Sequence, residues 1–191
     1  KFNSKKLEGK VKNKTALQKE LGLEVREDVP MFGIISRLTD QKGFDIIAHA
    51  IEEFVHQDIQ LVVLGTGERR YEDMFRYFQH KYPGKISANI LYNGELAQKI
   101  YAATDFFLMP SLFEPCGLSQ MMALRYGSVP IVRETGGLKD TIIPYNKYTG
   151  EGIGFTFSNY DSYDMMQAIY RGLDAYQNKK EFKKIITQGI E

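Results

Sequence analysis

Short runs of apolar residues alternate with amphipathic stretches along most of the chain, and this alternation constrains the fold more than any other feature. The runs at residues 31–36, 60–64, 106–109 and 129–132 are mostly apolar without a two-residue alternation, which is typical of strands buried on both faces of a parallel sheet. The amphipathic stretches between them predict connecting helices. The pattern therefore predicts an α/β fold: a doubly wound, Rossmann-like parallel sheet of about six strands flanked by helices.

The remaining elements follow from the same periodicities. Two further strands are predicted at residues 86–92 and 154–157. Helices are predicted at residues 14–23, 44–55, 71–78, 96–103, 118–126 and 163–176. The tail beyond Tyr176 is expected to be loosely held, because its last helix would normally cross towards another domain.

Composition excludes several classes of protein. The 191 residues carry 25 Lys and Arg against 24 Asp and Glu, so the basic excess that nucleic-acid binding needs is missing. The single cysteine, Cys116, rules out a disulfide framework and a cysteine-rich zinc site and fits a reducing compartment. No apolar run approaches the roughly 18 to 20 residues that span a bilayer, so no membrane partner is expected. The length predicts one domain, and because the chain has no initiator Met we expect it to be part of a larger protein.

Ligands of doubly wound sheets bind at the carboxyl ends of the strands, so the loops that follow the predicted strands are where chemistry is expected. In the first of these loops, Arg37 and Lys42 flank a turn that opens a helix. A guanidinium and an ammonium beside the free N–H groups of a helix start suit a diphosphate. Two solvated surface cations beside a helix cap explain the same residues equally well.

The second and third loops carry weaker signals. The Gly-x-Gly at residues 65–67 invites a dinucleotide interpretation, but Arg70 stands where the fingerprint needs a third small residue. We therefore interpret these glycines as a tight turn near a ligand and reject NAD binding. Tyr92 is predicted at the end of the third strand, where its ring could stack on a base. Packing against the edge of the core is the simpler interpretation from the sequence alone.

The fourth loop contains the most candidate functional residues. Glu114 precedes Pro115, which restricts it to an extended conformation, and Cys116 and Gly117 then open a helix. A carboxylate here can accept hydrogen bonds from sugar hydroxyls or offset positive charge on an anomeric carbon. The N–H groups of Gly117 and Leu118 can face a phosphate or sugar oxygen. Alternatively, Glu114 is a helix-start acid favoured by the dipole.

The fifth loop contains Gly136 and Gly137, which permit either close approach of the backbone to a ligand or a simple turn. A nucleophilic role for Cys116 is not favoured, because the three histidines fall in or beside helical stretches. Together the five loops supply cations for phosphate, an aromatic ring for a base and a carboxylate for a sugar. That set predicts a nucleotide-sugar site.

The motifs in these loops resemble those of a known family. They are Ser-Arg-Leu at 36–38, Gln-Lys-Gly at 41–43, Pro-Ser at 110–111, Phe-Glu-Pro-Cys-Gly-Leu at 113–118 and Thr-Gly-Gly-Leu at 135–138. The chain resembles, from about residue 9 to about residue 172, the C-terminal domain of bacterial glycogen synthases and plant starch synthases of the ADP-glucose type. The resemblance implies that residues 1–191 form one Rossmann-like half of a GT-B glycosyltransferase, the nucleotide-binding half, with the N-terminal domain outside this chain.

The resemblance also implies roles for individual residues. It places Arg37 and Lys42 on the donor diphosphate and Tyr92 against adenine. It places Glu114 beside the glucose, so that Glu114, Arg37 and Lys42 form the catalytic set. The other donor-binding residues that it implies are Gly94, Cys116, Gly117, Leu118, Ser119, Thr135, Gly136 and Gly137.

The implied reaction is transfer of glucose from ADP-glucose to the non-reducing end of an α-1,4-glucan, with retention and with no cofactor or obligatory metal. The implied partners are ADP or ADP-glucose, glycogen or starch, and the N-terminal domain. The implied location is the bacterial cytoplasm, or the plastid for a plant-type enzyme. Because the family's lysine motif and histidine of the N-terminal domain are not found here, the isolated chain is expected to bind ADP weakly and to transfer no glucose.

One residue departs from the pattern of related enzymes, and two alternative functions stay open. Many related GT-B enzymes carry a second glutamate eight positions after the first, and Met122 stands there in this chain, which leaves ribose recognition unassigned. A non-catalytic nucleotide- or glucan-binding module is one alternative. Another nucleotide-sugar glycosyltransferase of the GT-B fold is the second.

Overall fold

Six short strands form one parallel sheet in the computed structural model, which describes residues 7–114 and 118–190. The strands are β1 (Met31–Ile35), β2 (Gln60–Leu64), β3 (Ile86–Asn89), β4 (Phe106–Met109), β5 (Val129–Arg133) and β6 (Phe155–Phe157). Their order across the sheet is β3-β2-β1-β4-β5-β6, and every neighbouring pair is parallel. The predicted six-stranded, Rossmann-like sheet is confirmed.

Helices connect the strands and cover both faces of the sheet. They are α1 (Leu7–Leu21), α2 (Phe44–Val55), α3 (Arg69–Lys81), α4 (Gly94–Ala103), α5 (Leu118–Arg125), α6 (Gly136–Thr141), α7 (Ser162–Gln177) and α8 (Lys179–Ile190). A short 3-10 turn, Asp40–Lys42, precedes α2. None of the helices in the described ranges has both the length and the apolar character that a membrane span requires.

The central strands are buried on both faces, as the uninterrupted apolar runs predicted. Along β2, Leu61 and Val63 belong to one core cluster, whereas Val62 and Leu64 belong to another on the opposite face. In the first cluster, the Phe32 ring stacks on Phe106 of the neighbouring strand at a centroid distance of 4.8 Å. A strand between two apolar layers needs no polar face, which is why its sequence shows no alternation.

The strand order reverses between β1 and β4. These strands are neighbours in the sheet, although 70 residues, including β2 and β3, lie between the end of β1 and the start of β4. The connections from β1 run outward in one direction and those from β4 run outward in the other. The loops at the carboxyl ends of these two strands therefore diverge and leave a crevice between them. This crevice is where the fold predicts a ligand site.

A buried ion pair fixes α1 to the opposite, amino-terminal end of the sheet. Lys14 Nζ lies 2.8 Å from Asp105 Oδ2, and the same carboxylate oxygen accepts a hydrogen bond from Met31 N at 2.8 Å. Lys14 also donates to Glu27 O and Tyr176 Oη. Each charge is compensated by a partner and by further hydrogen bonds, which a buried pair requires.

Several predicted boundaries were wrong. α1 begins at Leu7, seven residues before the predicted start, and β3 ends at Asn89 rather than at residue 92. The tail beyond Tyr176 is not loosely held. It forms α8, whose Phe182, Ile185 and Ile186 are buried, because these residues recur at helical spacing and complete the core instead of leaving it.

Replacing Phe182 by alanine tests how strongly this tail is held. The Phe182 ring lies 5.1 Å from that of Phe106 and 5.0 Å from that of Tyr176. We expect Phe182→Ala to lower the free energy of unfolding by about 3–5 kcal/mol, measured by urea titration. Lys183→Ala, on the exposed face of the same helix, is the control and is expected to change it by less than about 0.5 kcal/mol. Equal stability of the two variants would show that the tail is not part of the cooperative core.

Candidate functional site

A cavity of about 360 Å³ lies at the carboxyl ends of β1, β2 and β4, in the crevice where the strand order reverses. Its walls include apolar residues from these strand ends, among them Ile34, Leu64 and Leu108. Six of the residues predicted for the site line it: Arg37, Lys42, Tyr92, Gly94, Glu114 and Ser119. The cations, the aromatic ring and the carboxylate predicted from separate loops are therefore brought to one cavity.

Lys42 and Glu114 are in direct contact inside this cavity. Lys42 Nζ lies 2.8 Å from Glu114 Oε2, and Ser111 Oγ donates to the same oxygen at 3.1 Å. The Glu114 side chain is 13% exposed and that of Lys42 is 27% exposed. A charge that is largely buried needs a partner of opposite charge. Lys42 and Glu114 are such partners for each other.

The turn that carries Lys42 is pressed against the loop that carries Glu114. Leu112 N donates to Gln41 O at 2.9 Å, so the two backbones are hydrogen-bonded. Gly43 ends the turn with a φ of +88°, and a Cβ built at this position would lie 2.2 Å from Pro110 O. Only glycine combines this left-handed conformation with so close an approach. The backbone contact explains how two side chains 72 positions apart meet.

The glycines at residues 65–67 form the tight turn that the sequence predicted. A Cβ on Gly65 would lie 1.8 Å from Ser36 O, and one on Gly67 would lie 2.5 Å from Leu38 O. The loop after β2 thus packs directly on the loop after β1, and Gly65 lines the cavity. These glycines serve close packing of two backbones, with Arg70 on the surface beside them.

Arg37 and Tyr92 lie at the mouth of the cavity. Arg37 is exposed, and within the described ranges its side chain makes no ion pair or hydrogen bond. Tyr92 is 84% exposed and follows the end of β3 by three residues, in the loop before α4. The simpler interpretation of Tyr92, packing against the core edge, is therefore wrong. Both side chains are accessible to a bound molecule.

Gly94 is the first residue of α4, whose start faces the cavity. The Asn93 side chain accepts a hydrogen bond from Leu96 N at 3.0 Å and caps the helix. No heavy atom lies within 4 Å of a Cβ built on Gly94. Space and free N–H groups are thus available at this end of the cavity.

The residues predicted around α5 and α6 are placed differently. Ser119 lines the cavity, whereas Leu118 is 76% exposed and does not. Gly137 N donates to Glu114 O at 3.1 Å, which places the start of α6 behind the Glu114 loop. Thr135, Gly136 and Gly137 are not among the lining residues. Cys116 and Gly117 lie outside the described residues, and donor binding by this whole group stays a prediction.

Ser111 is a candidate functional residue to which the sequence analysis assigns no role. Its hydroxyl holds Glu114 Oε2, and it is buried at the end of β4. The only sequence signal was its place in the Pro-Ser motif at 110–111, because a serine in a loop gives no local sign of its partner. Within the ranges that the structure describes, no group of three or more His, Cys, Asp or Glu is arranged to hold a metal ion. Metal-independent chemistry stays a prediction.

Comparisons with known proteins identify the family of this chain. A family model described as glycosyl transferases group 1 matches residues 29–175. A glycogen synthase from Clostridium novyi is 55% identical over 190 residues, covering 100% of this chain and 40% of that protein. One from Clostridium acetobutylicum is 59% identical over 179 residues, covering 94% of this chain and 38% of that protein.

Among solved structures, the catalytic domain of starch synthase IV from Arabidopsis thaliana, bound to ADP and acarbose, superposes with a TM-score of 0.91 at 35% identity. The match covers 100% of this chain and 40% of that one. The chain thus spans about two fifths of the length of the relatives that it matches.

Gly43→Ala tests the backbone contact between the two loops. The left-handed conformation costs a non-glycine residue about 1–2 kcal/mol, and the contact with Pro110 O adds to that. We expect the free energy of unfolding to fall by about 2 kcal/mol or more in a urea titration. Gly9→Ala in α1 is the matched control, because a Cβ there meets no heavy atom within 4 Å, and it is expected to stabilise by up to about 1 kcal/mol. A Gly43→Ala protein as stable as the parent would contradict the close approach.

Proposed function

Because the chain belongs to the glycosyl transferases group 1 family, we propose that it is the donor-binding half of a glycogen or starch synthase. The proposed reaction transfers glucose from ADP-glucose to the non-reducing end of an α-1,4-glucan with retention. Relatives named glycogen synthase, above 50% identical over at least 94% of this chain, support the assignment. So does the likeness to a starch synthase solved with ADP.

The observation that carries the proposal is the convergence of Arg37, Lys42 and Glu114 on one cavity. The leaving group of the reaction is a nucleoside diphosphate, and negative charge develops on it as the bond to the sugar breaks. Cations placed beforehand in a cavity with apolar walls stabilise that charge more than they would in water. Arg37 and Lys42 supply them in the proposed mechanism.

Lys42 is proposed to contact both halves of the donor. An ammonium has three N–H donors, and the bond to Glu114 uses one of them. No other described residue accepts from Lys42 Nζ, so the other two are proposed to serve phosphate oxygens. Lys42 thus links the carboxylate proposed to hold the hexose to the diphosphate proposed to leave, and the two parts of the donor are oriented by one group.

Glu114 is proposed to orient the glucose and to offset positive charge at its anomeric carbon. A carboxylate has about four lone-pair sites, so it can accept from sugar hydroxyls while Lys42 and Ser111 occupy Oε2. Its fixed position matters because a reacting group displaced by about 1 Å loses much of its effect. Exposed Tyr92 offers a ring face to adenine, and ribose recognition stays unassigned.

The glucan and the catalytic groups of an N-terminal domain are proposed partners, and the transfer is proposed to need no metal. The cytoplasm of a bacterium is the proposed location, since the glycogen synthase relatives are bacterial; the plastid takes its place for a plant-type enzyme. The donor-binding half alone is proposed to bind ADP without catalysing transfer.

Lys42→Ala in the complete enzyme tests the proposed function. Removing one preorganised donor to a developing anion costs roughly 100-fold in turnover, and we expect a loss of at least about that size. The measurement is incorporation of glucose from ADP-glucose into a glucan primer at saturating donor.

Two controls accompany that measurement. Lys12→Ala removes an exposed cation of α1 that does not line the cavity and is expected to leave turnover unchanged. The 191-residue chain alone is expected to elongate no primer. Unchanged turnover of Lys42→Ala, or elongation by the isolated chain, would contradict the proposal.

A further inference from the structure

Two side chains outside the cavity reach the loops that carry Lys42 and Glu114. They are Tyr160, in the segment between β6 and α7, and Arg133, the last residue of β5. Neither lines the cavity, so neither is placed to contact a bound molecule as Lys42 is proposed to do. Both come from the half of the sheet beyond β4.

Tyr160 joins the two sides of the Lys42 turn. Its Oη lies 2.9 Å from Asp40 O, at the start of the turn, and within hydrogen-bond distance of the Asp45 carboxylate, in the first turn of α2. The hydroxyl has one proton to donate, and both acceptors lie within its reach. Asp40 and Asp45 flank Lys42 in the chain, and both lie within hydrogen-bond distance of the Tyr160 hydroxyl.

The other side of the same turn is held independently. Arg70 Nη2 lies 2.7 Å from Asp40 Oδ1, and the Tyr71 hydroxyl donates to the same oxygen. These contacts hold the Asp40 side chain, whereas Tyr160 holds its backbone carbonyl. The turn, of which Lys42 is the third residue, is therefore held by α3 on one side and by the segment before α7 on the other.

Arg133 holds the opposite loop and contacts Tyr160. Its Nη1 donates to Leu112 O at 2.7 Å, and Leu112 N in turn donates to Gln41 O. The Arg133 guanidinium carbon lies 5.4 Å from the centre of the Tyr160 ring, a cation–π distance. One connected set of contacts thus runs from the Lys42 turn through Tyr160 and Arg133 to the Glu114 loop.

We propose that Tyr160 and Arg133 are positioning residues, which fix the spacing between Lys42 and Glu114 that the donor diphosphate and hexose require. This inference rests on the proposed function. Neither residue takes part in bond making or breaking. Their effect comes through geometry, because a small displacement of a group that stabilises a transition state lowers turnover strongly.

Tyr160→Phe is the direct test, because it removes the hydroxyl and keeps the ring under Arg133. In the complete enzyme we expect kcat to fall about 10-fold, with KM for ADP-glucose changed less than about 3-fold. Tyr170→Phe is the matched control. Tyr170 Oη lies 2.6 Å from Glu53 Oε2 and joins α7 to α2, but this contact does not involve the turn. Its kcat is expected to stay within about 2-fold of the parent.

A double-mutant cycle separates positioning from general destabilisation. If Tyr160 acts through Lys42, the loss caused by Tyr160→Phe shrinks to less than about 2-fold in a Lys42→Ala background. The same 10-fold loss in both backgrounds, or a Tyr160→Phe enzyme with full kcat, overturns the proposal. If Tyr160→Phe does not fold, Arg133→Lys replaces it in the cycle, since it keeps the cation but loses the planar fork that reaches Leu112 O.

The cycle also distinguishes the two levels of inference. Unchanged turnover of Lys42→Ala overturns the proposed function and the positioning claim with it. A full loss for Lys42→Ala together with no loss for Tyr160→Phe, or for Arg133→Lys where it replaces Tyr160→Phe, overturns the positioning claim alone.

Discussion

The peptide N–H of Leu112 donates to the carbonyl oxygen of Gln41, and beside this bond Gly43 packs against Pro110 with no room for a side chain. This backbone contact is possible because β1 and β4 are neighbours in the sheet, with Phe32 opposite Phe106. Strands that are adjacent and parallel deliver their carboxyl-end loops to the same place. The position of Lys42 beside Glu114, and with it the chemistry of the cavity, depends on this contact.

The ion pair between Lys42 and Glu114 also explains how charged groups are stable in a cavity with apolar walls. Each is largely withdrawn from water, and each has the other at 2.8 Å. A lone cation or a lone carboxylate at the same depth would carry an uncompensated desolvation cost. A bound diphosphate would bring new negative charge close to Lys42, which has N–H donors that no described residue accepts, and to Arg37, which is exposed. The pair is thus compatible with both the empty and the occupied cavity.

Much of this architecture could be predicted from local patterns. Uninterrupted apolar runs identified the strands around Phe32 and Val62, because burial on both faces leaves no room for polar alternation. The position of Arg37, Lys42 and Glu114 in the loops that follow strands predicts that they share one rim, since parallel strands share a direction. That inference needed only the topology, and the structure places all three on the same cavity.

Other features depend on contacts between distant segments and leave little trace in the local sequence. Tyr160 contacts the Lys42 turn although more than a hundred residues separate them in the chain, and the sequence around Tyr160 does not indicate that Asp40 is its partner. The burial of Phe182 in α8 was missed because the tail was assigned to a neighbouring domain, although its apolar spacing was helical. Tyr92 was placed at a strand end, but β3 stops at Asn89, where the chain leaves the sheet.

Calorimetric titration of the 191-residue chain with ADP tests most directly whether these loops form a nucleoside diphosphate site. We expect measurable heat of binding for ADP and ADP-glucose, none for NAD, and loss of ADP binding in Lys42→Ala but not in Lys12→Ala. Binding of ADP that is equally strong in Lys42→Ala and the parent would contradict it, because the cation at the centre of the proposed site would then play no part.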